Sequence, residues 1–467
     1  MTGTARYAGP ALSNAMSPAT PAAPAASHDP YAALRLPDFR RLVTARVLFT
    51  TATQIQGVVV GWQIFKLTND PLALGLIGLA EAIPSIGVSL YAGHVADSVR
   101  RKKIIVPAVA VLFLCAATLF WLSRPGQAAV LLRGRVYVEM LHATSVWPLY
   151  LVLFVSGVAR GFLGPALFAF MPQLLSERSL LPNAVTWNST SWQASTVLGA
   201  AVGGGLITLG LDVAYGVDTV LEGLALLLFI SIASRELPPI EGERLTLSES
   251  ILSGTRFIFG NQIVLAALSL DLFAVLFGGA VALLPIFASK EMLNVGPAGL
   301  GYMRAAPAVG TALMAVWLTF SPLRKQAGRK LLWAVAGFGA ATIGFALSHN
   351  IYLSLLMLFL TGVFDSVSVI VRSTLIHTYT PEYMKGRVSA VNNIFIGSSN
   401  EIGAFESGAA AKVLGTAPSV IFGGIMTLLV VAFTAWRADK LRALEMGAGK
   451  KTAPGLPEPE PVQSQRT

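Results

Sequence analysis

The sequence predicts an all-α integral membrane protein with twelve transmembrane helices in two six-helix pseudo-repeat bundles. Three observations carry that fold class. First, the 467-residue chain is 54% hydrophobic and only 12% charged, whereas soluble domains carry about 25% charged residues. Second, it divides into twelve stretches of the length and apolarity a membrane-crossing helix needs, roughly 20 residues each. Third, a pattern in the first half returns in the second with its charge reversed. Gly78-x-x-Glu81-Ala82-x-Pro84-x-x-Gly87 matches Gly301-x-x-Arg304-Ala305-x-Pro307-x-x-Gly310 at an offset of 223 residues.

Residues 1–34, rich in Ala, Pro, Ser and Thr, read as a disordered tail with no apolar core of a signal peptide. Span 1, about 40–65, gathers Thr50, Thr51, Gln54 and Gln56 on a polar inner face. Span 2, about 71–96, carries Glu81 and ends at the basic run Arg100–Lys103. An apolar stretch that stops at a basic cluster marks the cytoplasmic side. Span 3 covers about 103–122, followed by a longer loop, 123–146, with room for a short interfacial helix. Span 4, about 147–171, contains Arg160. Span 5, about 183–209, begins polar at Asn188–Ser191 and Gln193 and becomes glycine-rich at Gly199 and Gly203–Gly205. Small residues there let helix backbones approach closely. Span 6 covers about 214–233.

The charged connection 234–261 forms the domain boundary between a bundle at 35–233 and one at 262–440, and its Ile251, Phe257 and Ile258 predict an amphipathic segment on the membrane surface. Spans 7 to 12 follow at about 263–288, 298–320, 330–347, 351–376, 386–413 and 417–436, and 441–467 reads as a second disordered tail. The repeat extends beyond spans 2 and 8. Ser156-Gly157-Val158 aligns with Thr361-Gly362-Val363 at an offset of 205, which also pairs Arg160 with Asp365, Glu177 with Glu382 and Asn188 with Asn393. The drop in offset places the first half's extra residues in the 123–146 loop. Six spans repeated in one order give two halves of the same orientation, the parallel repeat of secondary transporters.

Charge placement excludes other classes. The net charge of +10 is spread between apolar stretches and forms no nucleic-acid patch. The single Cys115 forms no intramolecular disulfide, and His28, His94, His142, His349 and His377 lack metal-ligand spacing. With no phosphate-binding glycine loop, nucleophile or metal signature, neither an enzyme, a cofactor nor direct ATP drive is expected. Lys and Arg concentrate on the side that holds both termini, which places the termini in the cytoplasm of a bacterial-type inner membrane.

Several of these residues resemble the major facilitator superfamily. Gly93-x-x-x-Asp97 followed by Arg101 and Lys102 is similar to its loop signature between helices 2 and 3, departing at Ser98 and Arg100. The second-half copy keeps Gly328, Arg329 and Lys330 but has Lys325 where an aspartate is usual. A narrower resemblance, to the enterobactin-exporter and macrolide-efflux branch, rests on Leu270-Asp271-Leu272-Phe273-Ala274, Gly278-Gly279-Ala280, Asp365, Arg372 and Gly386-Arg387-Val388. It implies a proton-driven exporter of siderophores or drugs.

A charge at mid-membrane costs about 2.5–3.5 kcal/mol on insertion scales, so each buried charge needs a reason. Glu81 and Arg304, at equivalent repeat positions, are expected to pair across the axis between the halves, with Asp271 as a third member of the same unit. Glu401, Glu406 and Asn393 on span 11 are expected to line a central cavity, with Glu222 a weaker candidate. Gly93, Asp97, Arg101, Lys102, Arg160, Asp365, Arg372 and Arg387 are expected in a cytoplasmic gate. The resulting expectation is a monomeric, alternating-access, proton-coupled exporter of an amphipathic organic solute, whose partners are that small molecule, protons and the bilayer. A lipid flippase or small-solute importer of the same fold stays open, as does a non-transporting membrane sensor, although no soluble signalling domain supports the last. The topology is testable: a cysteine placed in 123–146 should react with an impermeant thiol reagent added outside cells, one placed in 238–245 should not, and the opposite labelling would invert the orientation.

Overall fold

A computed structural model describes residues 29–124, 146–233, 247–321, 326–381 and 384–442. The two tails at 1–28 and 443–467, the loop residues 125–145, most of the charged connection (234–246), Lys325 and Glu382 lie outside the described residues. The described chain is helical throughout, with no strand. Six long helices form the first half: α1 (Pro37–Thr68), α2 (Pro71–Ser98), α3 (Lys102–Ser123), α4 (Trp147–Phe170), α5 (Leu181–Leu209) and α6 (Leu211–Ser231). The amphipathic connector is a helix, α7 (Leu247–Gly260). The second half comprises α8 (Gln262–Phe277), α9 (Leu284–Ala288), α10 (Gly296–Phe320), α11 (Ala327–Ala346), α12 (Ile351–Tyr379), α13 (Lys385–Leu414), α14 (Thr416–Arg437) and the short α15 (Asp439–Arg442). Seven of these spans are long and apolar enough to cross a membrane by length and composition alone. The others include α1, α5, α10 and α13, whose polar and small residues turn inward instead of toward lipid.

Local chemistry sets the helix ends. Asp70 caps α2 by accepting from the Leu72 N–H at 3.0 Å, and Asn350 caps α12 by accepting from Tyr352 at 2.8 Å. Pro71 and Pro148 occupy first-turn positions, where a missing N–H costs nothing. Gly210 (φ 137°) joins α5 to α6, and Gly415 (φ 92°) joins α13 to α14; they stand 205 residues apart, at the repeat offset, in a backbone region that L side chains rarely adopt. The seventh span departs from the expected continuous helix. After Phe277 it breaks at the Gly278–Gly279 doublet into a 3₁₀ turn, Gly279–Leu283, before resuming as α9. Gly279 lies against Gly403 and Ser407 of α13, an approach that no side chain would permit.

Within the first half α2 packs on α4, α1 on α5 and α6, and α3 on α4 and α6; within the second, α10 and α11 pack on α12, and α8 on α13 and α14. The repeat is visible at one contact. Gly157 of α4 abuts the α2 backbone at Glu81 and the ring of Pro84, and Gly362 of α12 abuts the α10 backbone at Pro307, which is Pro84's equivalent.

The halves meet along two seams, α2 with α13 and α5 with α10. Call the side where α1 begins the base and the opposite side the crown. Both seams are tight toward the crown. A Cβ on Gly204 of α5 would lie 2.5 Å from the Gly301 Cα of α10, and one on Gly408 of α13 would lie 2.8 Å from the Gly75 Cα of α2. Toward the base the same helices diverge: Gly87 of α2 and Gly397 of α13 face open space. Gly204→Leu should therefore overpack the crown seam by about 1–3 kcal/mol. In a Cys115→Ala background, a cysteine at the buried Ala200 should gain thiol reactivity when Gly204→Leu is added; unchanged reactivity would mean that the seam does not depend on this approach.

A charged central cavity

Between the halves lies a cavity of about 1450 Å³ that narrows toward the crown seam. Its wall is largely apolar. Polar groups enter from α1 (Gln54, Gln56), from the first turns of α5 (Asn188, Gln193) and from α13 (Asn400). The polar faces of spans 1 and 5 thus have one physical cause, because they line an interior that lipid does not reach. The charged lining residues are Arg46, Glu81, Arg160, Arg304, Asp365, Arg372 and Glu401.

At the closed end four of these charges converge. Arg160 donates from Nη1 to Glu81 Oε2 at 2.8 Å and from Nη2 to Gln56 Oε1 at 3.0 Å. Arg304 reaches across from α10 and donates to the Gly57 carbonyl of α1 at 3.4 Å. Arg304 lies within electrostatic reach of both Glu81 and Glu401, and Glu401 within reach of Glu81, Arg160 and Arg304. The Glu401 carboxylate sits against Gly78 of α2, where a Cβ would come within 3.1 Å of it. Two carboxylates and two guanidiniums, one of each per half, thus make a neutral cluster that straddles the seam. Mutual pairing offsets the burial cost that each would carry alone.

This geometry corrects the expected pairing. Glu81 binds Arg160 of its own half, not Arg304, because the Gly157 contact brings α4 against the Glu81 turn of α2. Arg160 is accordingly a cavity residue and not part of a gate at the base. Asp271 does not belong to the cluster. It forms an ion pair with Arg372 inside the second half, both side chains almost fully buried, α8 to α12. Arg372 and Asp365 touch the cavity wall, so their place too is the interior. Glu406 lies beyond the lining, half-buried, where it accepts a long hydrogen bond from Ser407 at 3.5 Å. Lys102 closes the base end of α6, donating to the Ile230 and Ile232 carbonyls at 2.6 and 2.5 Å, which is helix capping. Arg101 is buried at the start of α3. Gly93 and Asp97 lie on α2 and Arg387 and Asn393 on α13; the side chains of Asp97, Arg387 and Asn393 lie outside the described residues.

Sequence reasoning missed the crown latch. Lys412 near the end of α13 donates to Asp70 Oδ2 at 2.5 Å, tying the two halves at the α2 cap. The partners stand 342 residues apart and outside any repeat motif, so no periodicity marks them. Burial pushes the Asp70 carboxyl up, but the Lys412 hydrogen bond, the Leu72 N–H and the Lys412 charge together hold it below its ordinary value.

A multi-pass membrane protein of two pseudo-repeated halves around one central cavity, sealed at one end, is built as a solute transporter. The model of the Major Facilitator Superfamily matches residues 42–404, and the chain belongs to that superfamily. Among curated proteins it is similar to the enterobactin exporter EntS of Escherichia coli, 25% identical over 423 residues that cover 90% of this chain and 96% of the relative. The Shigella boydii enterobactin exporter EntS is 25% identical over 397 residues, 84% and 90% of the two chains. Among solved structures, a bacterial homolog of the human lysosomal transporter Spinster, inward-facing and unoccupied, matches with a TM-score of 0.65 at 15% identity, covering 87% of this chain and 98% of that one. A POT family transporter in complex with 5-aminolevulinic acid matches at 0.66 and 11% identity, covering 86% and 96%. At these identities the structural matches speak for the fold.

The latch carries its own test. A depressed carboxyl contributes above its unfolded pKa and loses that contribution as pH falls through the folded one, so the tie persists through neutral and mildly acid pH. Lys412 is half exposed, so Lys412→Ala should loosen the crown by about 1 kcal/mol or less. Spin-label distances between the crown ends of α2 and α13 should widen in that variant, recover in Asp70→Lys/Lys412→Asp, and stay unchanged in wild type down to about pH 5.

Proposed function

We propose that this protein exports an amphipathic organic solute, siderophore-like in size, across a bacterial inner membrane in exchange for protons. The observation that carries the reading is the four-charge cluster at the sealed end of the cavity. The cavity exceeds the roughly 300–1,000 Å³ of ordinary small-molecule sites, which suits a large solute. Its apolar wall receives the solute's rings or chains, and Gln54, Asn188, Gln193 and Asn400 offer hydrogen bonds. The names of the EntS relatives support the direction and the solute class. With the positive-rich base in the cytoplasm, this conformation is open to the inside, ready to load cargo for export.

The cluster supplies a coupling device. A buried carboxylate keeps its charge while a guanidinium sits beside it and takes up a proton when the guanidinium leaves. Opening the crown separates α2 from α13 and α5 from α10, which pulls Glu401 and Arg304 away from Glu81 and Arg160. Glu401 then keeps Arg304 alone and Glu81 keeps Arg160 alone, so a change of access weakens the hold on each carboxylate's charge. In everted vesicles, enterobactin uptake should follow an imposed pH gradient. Arg160→Ala should abolish it by stranding Glu81, and the swap Glu81→Arg/Arg160→Glu should recover part of what either reversal alone loses. Uptake that ignores the gradient in wild type would overturn proton coupling.

A further inference from the structure

The first half holds an acidic pair that none of the foregoing uses. Asp218 and Glu222 lie four residues apart on one face of α6, 0% and 1% exposed. Neither oxygen of Asp218, nor Oε2 of Glu222, has a hydrogen-bond partner. Neither residue lines the cavity; they lie sealed behind it. A second observation comes from α4, which packs with α6 on α3. Ser156 of α4, 0% exposed, has its hydroxyl beside the Cys115 thiol and no other partner. Cys115 of α3 lies within reach of Ser156, Glu222 and Arg160 together, which places all of them around one spot.

Arg160 is the hinge of the arrangement. Its Nη atoms hold Glu81 and Gln56 on the cavity side, while its Nε is buried and unpartnered. It is within electrostatic reach of both Asp218 and Glu222. The other elements packed on α6 contribute few charges. α1 presents Gln56 and Gln63, the latter accepting from Tyr215 at 2.6 Å, and α3 presents Cys115; their cations Arg41 and Lys102 bond carbonyls at the base end of α6, from Ile230 on, and α5 contains no ionisable residue. Glu81 acts on the pair only through Arg160. One guanidinium therefore faces three carboxyl groups within this bundle. Two ionised carboxylates with three oxygens lacking donors, deep in a membrane protein, are too costly to persist.

We propose that Asp218 and Glu222 form a proton-holding pair that alternates with Glu81 for Arg160. With Arg160 on Glu81, the pair retains a proton between its carboxyls. When Arg160 turns to the pair, an O–H bond there breaks and its proton passes to water in the cavity on the Arg160 side. Glu81, relieved of the guanidinium, forms an O–H bond with a proton from the cavity. The inference rests on the proton-exchange reading but assigns the inner station to residues outside the cavity.

The test begins with full-length protein and no substrate. Infrared spectra at neutral pH should show a carboxylic-acid C=O band that is lost in Asp218→Asn/Glu222→Gln. A band undiminished in the double variant, with no difference from wild type, means the pair was ionised and overturns the proposal. Enterobactin then serves as the probe in proteoliposomes. The double variant should lose pH-gradient-driven transport yet keep enterobactin counterflow at equal pH, which moves no net proton and shows that the variant is folded. Gradient-driven transport retained in the variant, or transport in wild type that requires sodium instead of a pH gradient, overturns the proposal. A wild type without any gradient response refutes the coupled-export reading by itself, and the infrared band still decides whether the pair holds a proton.

Discussion

Neutrality across the seam between the halves is the constraint on which the interior depends. Glu81 and Arg160 come from the first half, Glu401 and Arg304 from the second, and with the crown closed the four lie together. Each half carries one acid and one base there, so the halves can part without leaving either with a net charge at this point. A single ion pair bridging the seam would have to be broken outright at each opening, at the cost of several kcal/mol for each stranded ion.

Around this cluster the packing serves movement. Glycines draw α5 onto α10 and α13 onto α2 at the crown, where backbones touch with no interlocking side chains. Contacts of this kind close tightly and separate without repacking large rotamers, since the surfaces are smooth. The pairs inside each half are of another kind. Gly157 on α2, Gly362 on α10 and the buried Asp271–Arg372 tie hold each bundle together as a unit. The exposed Asp70–Lys412 latch adds a weak charged tie at the rim, suited to biasing the closed state without locking it.

The buried Asp218–Glu222 pair marks the difference between a site's wall and its electrostatic surroundings. The cavity lining alone suggests that Glu81 and Arg160 act as a closed couple. Behind them α6 places two more carboxyl groups, three of whose oxygens lack donors, and Arg160 is the charge common to both sides.

The sequence by itself determined the class of fold, because membrane insertion is governed by local quantities: length of apolar stretch, sparsity of charge and the side on which Lys and Arg collect. It also marked the repeat, as at Gly157 and Gly362, while the equivalent turns at Gly210 and Gly415 showed in the backbone. It marked Glu81, Arg160, Arg304 and Glu401 as costly residues needing partners. Only the tertiary structure decided who those partners are. Equivalence in the repeat suggested Glu81 with Arg304, but the Gly157 approach of α4 to α2 delivers Arg160 first, and Asp271 goes to Arg372 inside the other half. Pairing depends on helix rotation and close approach in space, which charge order along a chain does not encode. For the same reason the Asp70–Lys412 latch, joining residues 342 positions apart, and the break of the seventh span against α13 became visible only once the helices were packed.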